Sequence, residues 1–122
     1  MKLIIADDSM VARAVIKKTV KQIGYDCIEA ANGREVLDIM AGAVADVGAI
    51  LMDWNMPVMD GLETLKQLKH NDRFSAVPVI MVTSESDEKN IEKARKAGAH
   101  GHIPKPFTAQ ELTAYLETAL AP

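Results

Sequence analysis

Five short apolar runs, each followed by a stretch of helical periodicity, constrain this chain more than any other feature. The first run, Leu3 to Ala6, is unbroken, as a parallel strand buried on both faces requires. Ser9 is placed to cap a helix in which Val11, Ala14, Val15 and Ile23 recur at helical spacing. Arg13, Lys17, Lys18 and Lys21 fill the other face, and Gly24 is the stop. A weaker strand surrounds Cys27 and Ile28. Asn32 can cap a short helix carrying Val36, Leu37 and Met40, which Gly42 ends. The third strand, Ala49 to Met52, runs straight into Asp53. Asp60 reads as the cap of a helix that begins at Gly61 and carries Leu62, Leu65 and Leu68. Pro78 precedes the fourth strand, Val79 to Val82, which ends at Thr83. A charged helix is expected from Asp87 to Ala97, closed by Gly98. The fifth strand surrounds His102 and Ile103. Thr108 and Glu111 then form a capping box for a last helix with Leu112, Leu116 and Leu120.

This alternation predicts an α/β fold, a parallel sheet with helices on both faces, and right-handed crossovers leave few topologies for it. No linker, repeat or low-complexity tract interrupts the pattern, so one domain over residues 1–122 is expected. A hydrophobic fraction of 48% excludes a disordered chain. A net charge of −3 argues against a nucleic-acid partner, which would need a basic face. A single cysteine, Cys27, excludes an internal disulfide and a Cys-rich zinc site. No apolar run is long enough to span a bilayer, and Asp7-Asp8 cut short the apolar start before it could serve as a signal peptide. A cytoplasmic chain with no membrane partner is therefore expected. The seven methionines read mostly as core filler. Lys89, Lys93, Arg95 and Lys96 read as a solvated helix face.

In open sheets of this class, ligands bind outside the carboxyl ends of the strands. The residues there are Asp7 and Asp8 after the first strand, Asp53 after the third, Thr83 and Ser84 after the fourth, and Lys105 past the fifth. Three neighbouring carboxylates raise one another's pKa, and a hard cation relieves that repulsion. Mg2+ takes oxygen ligands and suits such a set. A carboxylate can also act as a nucleophile and form an aspartyl phosphate. Phosphoryl transfer then requires positioning and charge neutralisation, which a lysine, a hydroxyl and Mg2+ would supply.

In this order and spacing, Ile5-Ala6-Asp7-Asp8-Ser9, Met52-Asp53-Trp54-Asn55-Met56-Pro57 with Met59-Asp60-Gly61, Met81-Val82-Thr83-Ser84-Glu85, Ala97-Gly98-Ala99 and Lys105-Pro106-Phe107 form a specific pattern. Over essentially its whole length the chain resembles the receiver domain of two-component response regulators, in particular the single-domain chemotaxis regulators. The resemblance implies a flavodoxin-like, doubly wound sheet of order 2-1-3-4-5. It implies that Asp53 is the phosphoacceptor, with Asp7, Asp8, Asp53 and the backbone carbonyl of Asn55 around Mg2+. It further implies that Thr83 is the switch hydroxyl, that Lys105 pairs with a phosphoryl oxygen, and that the Lys105-Pro106 bond is cis. Asn55 and Glu85 would tune the lifetime of the acyl phosphate.

Two residues depart from the family pattern. His102 stands where a Tyr or Phe usually couples the switch hydroxyl to the output face, so the resemblance implies a polar switch residue at this position. Pro104 offers no backbone donor, so the fifth strand must be an edge or end there. The partners implied are a sensor histidine kinase or phosphotransfer protein as donor, and an output protein on the face of the fourth helix, fifth strand and fifth helix. A flagellar motor protein is one candidate, and a monomer is expected. Ile91, Ala99, His102 and Lys105 would flank that face.

Other readings of the residues stay open at this point. The chain can be a receiver cut from a larger regulator with a DNA-binding or enzymatic output domain. An aspartate-nucleophile phosphatase would need a second Asp where Asn55 stands. A flavin or nucleotide binder would need a glycine-rich phosphate loop, and neither G-x-G-x-x-G nor G-x-x-x-x-G-K-[ST] occurs.

Overall fold

A computed structural model describes residues 2–43, 46–83 and 88–120. Five strands and five helices alternate along it: β1 (Lys2–Ala6), α1 (Met10–Gln22), β2 (Asp26–Ala30), α2 (Gly33–Ala43), β3 (Val47–Asp53), α3 (Gly61–Lys69), β4 (Val79–Thr83), α4 (Glu88–Lys96), β5 (Gly101–Pro104) and α5 (Ala109–Ala119). The strands form one parallel sheet of order β2-β1-β3-β4-β5. This is the topology that the resemblance implies.

Side chains of successive strand residues point to opposite faces, and this period of two splits the core in two. Leu3, Ile5, Ala49, Leu51, Ile80, Val82 and Ile103 pack with Ile16 and Val20 of α1 and Leu112 and Leu116 of α5. Ile4, Ile50, Met52, Val79 and Met81 pack on the other face with Val36, Met40, Leu65, Leu68 and Ala94 from α2, α3 and α4. Met40, Met52, Met56 and Met81 are core residues, whereas Met10 is exposed.

The helix ends carry the expected chemistry. The side chains of Ser9, Asp60 and Thr108 accept from Ala12, Glu63 and Glu111 backbone N–H groups, and Thr108 with Glu111 closes the capping box. Asn32 Oδ1 accepts from the Glu35 N–H at 2.9 Å. α2 continues one residue past Gly42. Asp87, the expected start of the fourth helix, lies outside the described residues.

The inward face of α1 corrects the sequence reading. Its pattern put Val11, Ala14 and Val15 inside, but Val11 is 75% and Val15 54% exposed, and Ala14 is exposed too. Ile16, Thr19 and Val20 are buried instead. The first turn of α1 stands at the carboxyl rim of the sheet, where there is no strand surface to cover. Only the later turns lie over β1 and β2. Arg13 and Lys17, expected on the solvated side, reach Glu29 of β2 at 3.2 and 3.3 Å.

β5 is an edge strand, as Pro104 demands. Pro104 lies opposite Thr83 as its last residue, and the next residue restores the ladder, with the Lys105 N–H donating to the Thr83 carbonyl at 2.6 Å. The Lys105-Pro106 bond is cis.

Candidate functional site

The carboxyl rim of β1 and β3 gathers the acidic residues. The Asp7 N–H donates to the Ala30 carbonyl of β2, which fixes the backbone where β1 ends. Asp7 Oδ1 accepts from the Ser9 N–H at 2.9 Å, and the Arg13 guanidinium reaches back from α1 to the Asp7 carbonyl. Asp53, the last residue of β3, accepts from the Trp54 N–H at 2.9 Å. α3 begins directly beneath it. A Cβ on Gly61 would stand 2.3 Å from the Asp53 carbonyl oxygen, so only glycine allows this approach.

Asp7, Asp8 and Asp53 present carboxylate oxygens that all lie within 4.8 Å of one another. Asp7 and Asp53 are buried and Asp8 is exposed. The Lys105 ammonium bridges the two buried carboxylates, 2.7 Å from Asp7 Oδ2 and 3.5 Å from Asp53 Oδ1. Burial pushes the Asp53 carboxyl above the usual carboxylate range. Lys105 pulls it down, but burial and the Asp7 charge prevail. Burial opposes the Lys105 charge, but Asp7 and Asp53 outweigh it and hold the ammonium above its ordinary range.

A set of three hard oxygen donors with one exposed member fits a hydrated divalent cation better than a caged one. It also leaves excess negative charge after Lys105 is counted, and a cation would remove that excess.

The structure thus brings together four residues singled out in the sequence: Asp7, Asp8, Asp53 and Lys105. Thr83 is buried at the end of the adjacent β4. Asn55 is exposed in the loop after β3. His102 stands apart, half-exposed, lining a cavity of about 150 Å³ between α4 and β5 with Ile91, Arg95 and Ala99. Ser84 and Glu85 lie outside the described residues. Among the described residues, no helix is long and apolar enough to cross a membrane.

The family profile of the response regulator receiver domain matches residues 3–117. The chain belongs to that family. This receiver is 41% identical over 121 residues to chemotaxis protein CheY1 of Helicobacter pylori, covering 98% of this chain and 97% of that protein. Its fold matches chemotaxis response regulator CheY4 of Vibrio cholerae with a TM-score of 0.90 and 32% identity, over 98% of each chain. It also matches the receiver domain of a sensor histidine kinase from Pseudomonas aeruginosa, with a TM-score of 0.88 and 25% identity over 99% of this chain and 98% of that one. That structure holds a magnesium ion coordinated in the active-site cleft. Receivers of two-component systems take a phosphoryl group from a histidine kinase and act on an output partner.

The sequence did not reveal three features of this receiver. Arg13 anchors the Asp7 backbone, and its position among lysines hid that role. Tyr115 of α5 lays its hydroxyl against β5, hydrogen-bonded to the His102 backbone, in space that a Cβ on Gly101 would occupy. A glycine inside a strand, Gly101, was the available signal. Val58, five residues past Asp53, has a left-handed φ of 68° and is 81% exposed. It is the central residue of a tight turn in which the Met59 N–H donates to the Pro57 carbonyl.

Proposed function

We propose that this single receiver unit is a phosphorylation switch whose phosphoacceptor is Asp53. The carrying observation is the meeting of the Asp53 carboxylate with Asp7, Asp8 and Lys105 at one rim of the sheet. An Asp53 carboxylate oxygen attacks the phosphorus of a phosphohistidine. The new O–P bond forms as the P–N bond to the donor imidazole breaks. Asp7, Asp8 and Asp53, with the Asn55 carbonyl, would hold Mg2+, which supplies charge neutralisation for the phosphoryl oxygens.

Lys105 already stands beside Asp53 and needs only a small displacement from Asp7 to meet a phosphoryl oxygen. Thr83, at the neighbouring strand end, supplies a hydroxyl to another. Asn55 and Glu85 control water at the acyl phosphate. Differential contact of a few kcal/mol shifts a two-state equilibrium, which α4, β5 and α5 then present to an output protein. The likeness to CheY proteins supports chemotaxis as the pathway, with a flagellar motor protein as the output partner and a histidine kinase as donor.

The test uses purified protein, Mg2+ and acetyl phosphate, followed by intact mass. One phosphate-sized mass gain is expected, absent without Mg2+ and absent in Asp53→Asn. Equal labelling of Asp53→Asn would refute the assignment.

A further inference from the structure

A groove of about 700 Å³ runs between α3 and α4, away from the carboxylate rim. Its apolar lining is Leu62 and Ala97, and its polar lining is His70 and the cationic Lys66, Lys93 and Lys96. Among the described residues, no carboxylate lines it. The α3 and α4 helices carry six Lys or Arg residues against three Glu, in a chain whose net charge is −3.

Two of these Glu are engaged within their own helices, and Glu92 also feels the Lys96 charge. Glu92 pairs with Arg95, and Glu63 accepts from the Gln67 amide. Among the described residues, Lys66, Lys93 and Lys96 have no carboxylate within salt-bridge distance. On α1, Glu29 neutralises Arg13 and Lys17, and Lys18 and Lys21 stand outside this groove. Lys69 is also different, because its ammonium turns inward to the Ser75 and Val77 carbonyls at 3.0 and 2.9 Å.

Lys93 and Lys96 are three residues apart, and Lys66 and His70 four. The Lys93–Lys96 pair, two cations at helical spacing, opposes helix formation by a few tenths of a kcal/mol. The last-turn positions of these lysines suit the helix dipoles, but across the groove their charges are left without a counter-charge, which an external anion would supply. The anion must be extended. The charges lie on two helices, about one helical turn apart on each, so they match carboxylates along an edge of a third helix. They do not match a single phosphate: Leu62 alone of the lining belongs to a first helical turn, and there the Gly61 and Glu63 N–H groups already donate to the Trp54 carbonyl and to Asp60 Oδ1.

We propose that the α3–α4 groove docks an acidic amphipathic helix of a partner protein. Its carboxylates meet Lys66, His70, Lys93 and Lys96, and its apolar edge rests on Leu62 and Ala97. This surface is separate from the phosphoacceptor site, and the proposal stands whether or not Asp53 is phosphorylated.

The probe is a synthetic amphipathic helical peptide of about 15 residues with glutamates along one edge and leucines beside them. Its binding to 15N-labelled full chain is followed by amide shifts. Shifts confined to α3 and α4, weakened by added salt, are expected. The K66A/K93A/K96A variant should bind about tenfold more weakly, and K18A/K21A should bind as the parent does. Unchanged circular dichroism will show that both variants are folded.

Equal binding of a glutamine-substituted peptide would overturn the proposal. So would equal shifts on the lysine face of α1, or no shifts at millimolar peptide. Pyrophosphate shifting the groove amides where the peptide does not would overturn it in favour of a small-anion site.

Discussion

Lys105 and Asp7, 98 residues apart in sequence, form a 2.7 Å ion pair in which the Asp7 carboxylate is buried. The pair holds the β5–α5 connection to the end of β1. Removing the ammonium leaves a buried carboxylate whose remaining hydrogen-bond donor, among the described residues, is the Ser9 backbone N–H.

Lys105→Met should therefore destabilise the metal-free protein by about 1–3 kcal/mol, less than a fully buried pair because Lys105 stays partly exposed. The same change should tighten Mg2+ binding severalfold, since a competing cation leaves the acidic cluster. Urea melts with and without Mg2+ measure both effects, and the destabilisation should shrink at saturating Mg2+. Unchanged Mg2+ affinity would show that Lys105 does not compete for Asp7.

Asp53 gives a pH dependence of definite sign. Its carboxyl is held above the ordinary carboxylate range by burial, so the folded state binds this proton more tightly than the unfolded state does. Its contribution to stability grows as pH falls through the raised value and is lost as pH rises through it. Asp53→Asn should stabilise the metal-free fold at neutral pH and flatten this component of the stability–pH curve. Urea midpoints in metal-free buffer across the acidic range test it, and a variant less stable than the parent at pH 7 would contradict it.

Val58 places a β-branched side chain at a φ of 68°, where glycine is at ease. The side chain is exposed and gains no packing in return. Val58→Gly should stabilise the protein by about 1 kcal/mol, the relieved strain exceeding the entropy that glycine adds to the unfolded chain. Thermal and urea unfolding should agree on the sign.

The Tyr115 hydroxyl occupies the space beside Gly101, with only 1.9 Å to an ideal Cβ there. Gly101→Ala must push the ring away and break its bond to the His102 backbone. A loss of about 1–3 kcal/mol is expected, against about 1 kcal/mol for Tyr115→Phe. In the Gly101→Ala/Tyr115→Ala double variant the two losses should fall short of their sum, because both report one contact.

The strands and the acidic rim were legible because short apolar runs state their own ends, and the charged residue after each run marks the rim. Asp7, Asp53 and Lys105 needed no tertiary information beyond a parallel sheet. The α1 face was not legible. Val11 and Val15 are as apolar as Ile16 and Val20, and only the distance of the first turn from the strands decides between them. The α3–α4 groove was half visible. Lys93 and Lys96 read as a solvated face, and it takes the packing of α3 beside α4 to bring Lys66 and His70 opposite them. The Tyr115–Gly101 contact depends on how α5 crosses β5, which no local pattern encodes.

The division of the core into two layers has a further consequence. The sheet is a partition one residue thick, and among the described residues the buried side chains on its two faces form separate clusters. By strand alternation Asp53 follows Ala49 and Leu51 toward α1 and α5, while Thr83 follows Val79 and Met81 toward α2, α3 and α4. A single event at the rim can therefore address two rooms that otherwise share only a wall. Lys105 opens on one side, Thr83 on the other, and the threshold between them is the end of β3.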